Sequence, residues 1–389
     1  MERLPFYLAF GAAVAGILSI AACHILLGAA LGVLLWRREW IRAPRVWMPL
    51  AAFAAWTLLS LAASEDPAGG WPQVKKFFVL LMLVVVSSGI RTVGEAKWTL
   101  LTMAAGGCLS AAWGLAQFAE KYQDAAEAGQ PFYQSYVAAR ITGTMSHWNT
   151  FAGLMMIALL VVAAYVLFGG ERKWAIGGGL IGLALTLNFT RSMWGGAAAG
   201  LTYLVWRRKP WALVALPVAL CAVVMFAPEP VSTRIRSIWD PDKKLDSNEH
   251  RVQLRKAGLR MIAAHPFFGV GPMMVKRHVM EFVSEDAPKP WPEGWWYDHL
   301  HNLYIHYAAE RGIPAMLAFV CFLGMALWDF LRGSRGAEGN RRWILHAAVA
   351  AIIGVMVGGW WEVNLGDSEV LQTFLAVVGC GYVAVEDRG

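Results

Sequence analysis

Residues 174–208 read WAIGGGLIGLALTLNFTRSMWGGAAAGLTYLVWRR, with a lone charge, Arg191, at the middle and Arg207 and Arg208 at the end. As a single α-helix the run would reach about 50 Å at about 1.5 Å per residue, well beyond a bilayer core of about 30 Å. Arg172 and Lys173 lie just before it, and Lys209 follows. Folded as a hairpin, the run puts both basic clusters on one side of a membrane and Arg191 at the opposite tip. Residues 4–36 pose the same choice, with Arg3 before them and Arg37 and Arg38 after. A second hairpin solves it.

Composition agrees. Of the 389 residues, 57% belong to the apolar AVILMFWYC set, 39 are Gly and only 16% are charged, against about 25% in a typical soluble protein. Mean hydropathy is +0.46. So little polar surface predicts an all-α integral membrane protein and excludes a cytosolic enzyme, a disordered scaffold and a nucleic-acid binder resting on the pI of 9.2. The net charge of +7 has meaning only loop by loop. Cys23, Cys108, Cys221, Cys321 and Cys380 each stand singly in apolar surroundings and read as core-filling thiols rather than disulfides or zinc ligands. The apolar start from Leu4 runs on without an A-x-A type stop, so no cleavable signal peptide is expected.

Apolar blocks lie near 4–20, 22–36, 47–63, 74–90, 98–118, 149–168, 174–190, 193–206, 211–227, 301–331, 343–361 and 368–385. They predict a polytopic protein of about twelve transmembrane helices. In that arrangement Arg42, Arg45, Arg91, Lys97, Arg332, Arg335, Arg341, Arg342 and Arg388 join the clusters above on one side. By the positive-inside rule that side is the cytoplasm, and both termini lie in it. The expected organisation is helices 1–9 over 1–227, one long periplasmic loop with short helices over 228–300, and helices 10–12 over 301–389, as one integrated membrane domain. Residues 119–148 form a medium outer loop. No repeat relates the two halves, which counts against a transporter built from inverted repeats.

Five polar constellations fall at the outer ends of these blocks. DHLHNLY at 298–304, followed by ERGIP at 310–314, opens the tenth block. Histidine can take a proton near neutral pH; the alternative is that His299 and His301 are merely interfacial. A metal pair is disfavoured, because positions two apart do not share a helix face. NFTRSMWG at 188–195 carries Arg191, a guanidinium at membrane depth and therefore either functional or snorkelling. On a helix from 251, Arg251 and Arg255 share one face and Lys256 and Arg260 another. Such faces meet anionic headgroups or, more sharply, grip a diphosphate through arginine forks. Arg140 to Asn149 reads RITGTMSHWN, in which Asn149 is most cheaply a helix cap. EVNLGD at 362–367 precedes the last block. Asp240-Pro241-Asp242 imitates the DxD of metal-dependent glycosyltransferases but reads as solvated turn chemistry.

Taken together, SHWN at 146–149, TRSMW at 190–194, Arg251 followed by GLRMIAAHPFFGVGP at 258–272, and HLHNLY with AERGIP at 299–314 resemble the O-antigen ligase and polymerase superfamily of bacterial surface-glycan assembly. The resemblance covers roughly residues 135–375. It implies a metal-independent, cofactor-free GT-C-type glycosyltransferase in the bacterial inner membrane, with its active site facing the periplasm. Its donor would be a glycan on undecaprenyl diphosphate, and its acceptor a lipid A-core or a growing glycan, with membrane lipids around it and no nucleic acid. It further implies that His301 is the general base, with His299 in reserve and Asn302 beside it. Arg191 and Arg251 would bind the donor diphosphate, and Arg140, Asn149 and Asp367 would support them. The family often has an aromatic residue four positions after the loop arginine, where this chain has Arg255, so either Arg251 or Arg255 can face the diphosphate. A single dominant outer loop favours a ligase over a polymerase. A lipid-linked glycan flippase, which needs no base, is the rival from another class.

Overall fold

Ser19 breaks the first long apolar run: its hydroxyl accepts from the Ala22 amide at 3.4 Å and starts a second helix. The computed structural model describes residues 3–38, 41–215, 225–240, 248–285, 287, 289 and 298–386, and among these there is no strand. The first helices are α1 (Leu4–Ala15), α2 (Ile20–Trp36) and α3 (Trp47–Ala62). Next come α4 (Pro67–Gly89), α5 (Val93–Glu127) and the short α6 (Phe132–Ala138). The deciding stretch is a hairpin of α8 (Trp174–Leu187) and α9 (Arg191–Arg208), preceded by α7 (Trp148–Phe168). The outer segment holds α10 (Glu229–Arg236) and α11 (Asn248–Ala264). Finally come α12 (Leu303–Arg311), α13 (Ile313–Gly333), α14 (Gly339–Gly358) and α15 (Ser368–Glu386).

Among the described residues, α4, α5, α7, α13, α14 and α15 are long and apolar enough to cross a membrane, and α1, α2, α3 and α8 are apolar but shorter. The proposed span at 211–227 lies mostly outside the described residues, as do Cys221, Asp242 and Arg388. Small residues let the central helices touch. A Cβ on Gly196 of α9 would stand 2.5 Å from the Gly354 carbonyl of α14, so backbone meets backbone as in membrane helix pairs generally. Gly200, one turn on, faces Leu160 and Ala350.

The basic segments gather at one end of the bundle. Arg45 pairs with Asp329 at the end of α13, Arg42 lies 3.8 Å from Glu386 of α15, and the Arg341 Nε donates to the Ala384 carbonyl at 2.8 Å. The polar constellations gather at the other.

Three expectations need correction. The block 301–331 is two helices, because the chain turns at Gly312 with φ 89°; there the carbonyl of Phe267 and the amide of Phe268 leave no room for a Cβ. The 119–148 segment is no simple loop, since α5 runs on to Glu127 and α6 follows. Cys321 is exposed on the bundle surface rather than filling the core, whereas Cys23 and Cys380 are buried.

The HPFFGVGP and AERGIP motifs turn out to hold each other. Val270 and Gly271 amides donate to the Ala309 and Glu310 carbonyls at 2.9 Å, and Ile313 donates to the Pro266 carbonyl at 2.8 Å. Glu310 is buried, accepts from the Met273 amide at 2.8 Å and sits 3.1 Å from Arg311, which lies over the Phe53 and Tyr307 rings. These residues hold the C-terminal end of α12. A separate small core, including Leu254, Met261, Val275 and Leu300, joins α11 to it.

Candidate active site

α11 is amphipathic, and its two arginines spaced four apart reach the same space. That space is an open cavity of about 540 Å³ whose lining includes Arg191, Arg251, Arg255, Trp194, Ile238 and Trp361. Guanidinium groups and large apolar surfaces share its wall. Arg191 is the first residue of α9, placed there by a tight turn in which the buried Phe189 takes φ 60°. Its guanidinium donates to the Ser237 carbonyl at 2.8 Å, the Ser237 hydroxyl at 2.9 Å and the Asn248 side-chain oxygen at 2.7 Å. Those acceptors are neutral and fix the orientation of the guanidinium.

Arg251 links the cavity to a buried carboxylate. It lies 3.3 Å from a carboxylate oxygen of Glu362, which stands just past the end of α14 and is almost wholly buried. The same carboxylate meets His299 Nε2 at 2.9 Å and His301 Nδ1 at 3.1 Å. Arg255 donates to the His301 carbonyl at 3.4 Å. Arg251 and Arg255 each keep one buried donor, Nε, without a hydrogen-bond partner among the described residues.

His301 sits in the left-handed region at φ 47°, a conformation that costs of order 1–3 kcal/mol and needs surrounding structure to enforce it. Asn302 enforces it. Its side-chain oxygen caps α12 by accepting from the Tyr304 and Ile305 amides, and its Nδ2 donates to the Trp360 carbonyl at 2.9 Å. With the Leu303 amide on the Gly359 carbonyl at 2.7 Å, the start of α12 is pinned to the end of α14. The distance from His301 to Glu362 is thereby set by backbone.

Burial opposes ionisation of Glu362, but the two histidines and Arg251 outweigh it and hold its carboxyl well below the usual range. The histidines diverge. Burial, reinforced by Arg251, pushes His301 down to about 4 despite Glu362, so the ring is neutral at pH 7. Burial also opposes charge on His299, yet its hydrogen bond to Glu362 and that carboxylate's charge raise it above the ordinary value. With Nδ1–H given to Glu362, the neutral His301 ring keeps Nε2 as an acceptor.

Arg140, Asn149 and Asp367 stand around this centre rather than in the cavity wall. Arg140 lies 4.8 Å over the Trp148 ring and donates to the Val137 carbonyl at 3.2 Å, and burial with Arg234 and Arg251 nearby lowers it to about 9. Asn149 is not the cap: His147 is, its Nδ1 accepting from the Asn149 amide at 3.2 Å. The Asn149 carbonyl instead accepts from Asn364 at 2.9 Å. Asp367 accepts from the Thr150 hydroxyl at 2.8 Å, and burial raises its carboxyl to about 6. Glu362 is not among the residues expected from the sequence, where its only signal is an acid within the apolar WWEVN. Asn248 and Ser237, which aim Arg191, carried none.

His299 and His301 precede α12, so helix-face geometry does not keep their rings apart. Ligand-capable atoms of His299, His301 and Glu362 lie within 4.8 Å of one another. An ion there would have to displace hydrogen bonds that join all three and share the carboxylate with Arg251.

These helices and their buried polar end define a multi-pass helical membrane protein. Residues 176–320 match the family model described as O-Antigen ligase, and Arg191, Arg251, Arg255, His299 and His301 all lie within the matched segment. No curated protein matches the chain.

Proposed function

We propose that the protein is an O-antigen ligase-like glycosyltransferase that moves a glycan from undecaprenyl diphosphate to a lipid A-core hydroxyl at the periplasmic face of the inner membrane. One observation carries the reading: an arginine-lined, partly apolar cavity opens directly beside a buried His–Glu pair. The diphosphate would lie against Arg191, Arg251 and Arg255, with the lipid along Trp194, Ile238 and Trp361. The acceptor hydroxyl attacks the anomeric carbon while His301 Nε2 takes its proton and Glu362 stabilises the resulting imidazolium. The bond to the diphosphate oxygen breaks, and fixed guanidinium groups meet the charge that grows there. A single displacement inverts the anomeric centre. GT-C architecture and an undecaprenyl carrier belong to this proposal.

A polymerase of the same superfamily would use the same groups on a growing glycan. The single long outer segment favours the ligase. A lipopolysaccharide gel from a strain lacking the gene separates them: naked core with accumulated lipid-linked polymer supports ligation, and core bearing a single repeat supports polymerisation. Normal lipopolysaccharide would refute both.

Orientation follows from the basic end of the bundle. Reporter fusions after Arg208 and after Arg335 should read cytoplasmic and a fusion near Lys243 periplasmic; reversal of any one breaks the topology. Transfer by the purified protein should survive EDTA, and Asp240→Ala with Asp242→Ala should retain most activity. A strict magnesium or manganese requirement would refute the base mechanism and point to His299, His301 and Glu362 as ligands.

A further inference from the structure

At the basic end of the bundle, away from the glycan chemistry, a groove of about 690 Å³ runs between α5, α7 and α8. Trp98, Leu101, Ala105 and Leu109 of α5 form one wall, and Ile176 and Gly177 of α8 form the other. Trp98, Leu109 and Ile176 are more than half exposed among the described residues. From Lys97 to Leu109 the groove is about 18 Å long at about 1.5 Å per residue, close to the roughly 15 Å depth of one leaflet's hydrocarbon. Its mouth carries both signs of charge. Lys97 lies near the Trp98 ring, and Lys173 pairs with Glu171 at 2.5 Å.

We propose that this groove is a binding site for one aminophospholipid of the leaflet at the basic end, with a phosphoethanolamine headgroup. Its phosphate meets Lys97 and Lys173, its primary ammonium meets Glu171, and an acyl chain lies along Leu101, Ala105, Leu109 and Ile176. Two cations and one carboxylate match a head that is itself a phosphate and an ammonium. A phosphatidylglycerol head would set its phosphate beside Glu171 with no cation to offer, and a choline head has no N–H to donate. Gly177 lets α8 come close to α5 at the floor of the groove, since a Cβ there would stand 2.9 Å from the Cys108 sulfur.

The test is native mass spectrometry of the full-length protein, released from detergent with phosphatidylethanolamine, phosphatidylglycerol or phosphatidylcholine of identical chains. Wild type should retain phosphatidylethanolamine about tenfold better than the other two. Glu171→Gln should move the preference to phosphatidylglycerol, Lys97→Gln with Lys173→Gln should abolish it, and Gly177→Leu should reduce retention of all three. Equal retention of the three lipids by wild type, or an unchanged preference in Glu171→Gln, overturns the proposal. Glycan transfer serves as the folding control, because none of these residues lies in the proposed active site. Loss of lipid preference with transfer intact is the expected pattern for the lysine pair; a preference that survives in that variant refutes the site.

Discussion

His301→Ala should leave donor binding near normal and cut glycan transfer by about 10²–10⁴-fold, the usual cost of removing a general base. The base acts on the acceptor proton, so its loss should appear in turnover rather than in affinity for the lipid. The pH profile tells the two histidines apart. A base accepts a proton only while neutral, and His301 is held at about 4. Transfer should therefore stay flat through neutral pH and fall only as the pH drops towards that value. His299 is raised above the ordinary 6.5; were it the base, activity would already be falling near neutrality. Glu362→Gln keeps the size of the side chain but removes the charge that steadies the imidazolium, and should lower turnover with little change in donor affinity. If His301→Ala transfers at a near wild-type rate while His299→Ala is dead, the base has been assigned to the wrong ring. If both are active, the mechanism fails.

Arg191→Ala should weaken donor binding by roughly 10–100-fold, the worth of a hydrogen-bonded charge contact of about 1.5–3 kcal/mol. Turnover should fall as well, because in the proposed mechanism the same guanidinium meets the leaving group's growing charge. Lysine keeps the charge but loses the planar fork that Ser237 and Asn248 hold in place. Arg191→Lys should remain severely impaired. Arg251→Ala should be worse for turnover than Arg255→Ala, since Arg251 alone of the two touches Glu362. Titration of a polyprenyl diphosphate against each variant, alongside initial rates, checks both statements. Unchanged affinity in Arg191→Ala would remove the cavity from the account.

Where the sequence was legible, a strong periodic or energetic signal stood behind it. The hairpin at 174–208 follows from bilayer thickness, and α11 from arginines repeating four apart. His301 and Arg191 stood out because charge and imidazole are costly beside apolar runs. What stayed hidden was set by contacts distant in sequence. The break at Gly312 arises from the backbone of Phe267 and Phe268 pressing on it, which no local pattern announces. Glu362 gains its role only when the end of α14 meets the start of α12 through Asn302 and Trp360. Asn149 looked like a cap because asparagine caps well, yet Asn302 is the residue that does it here and His147 takes the place expected of Asn149.

The central claim is that one cavity holds the donor diphosphate beside the ring that deprotonates the acceptor. The most direct measurement is a cryo-electron microscopy structure of the wild-type protein with a non-transferable polyprenyl diphosphate sugar. The account predicts diphosphate oxygens within hydrogen-bond distance of Arg191 and of Arg251 or Arg255, and the anomeric carbon facing His301 Nε2. A diphosphate bound elsewhere, or one whose sugar points away from His301, would contradict it.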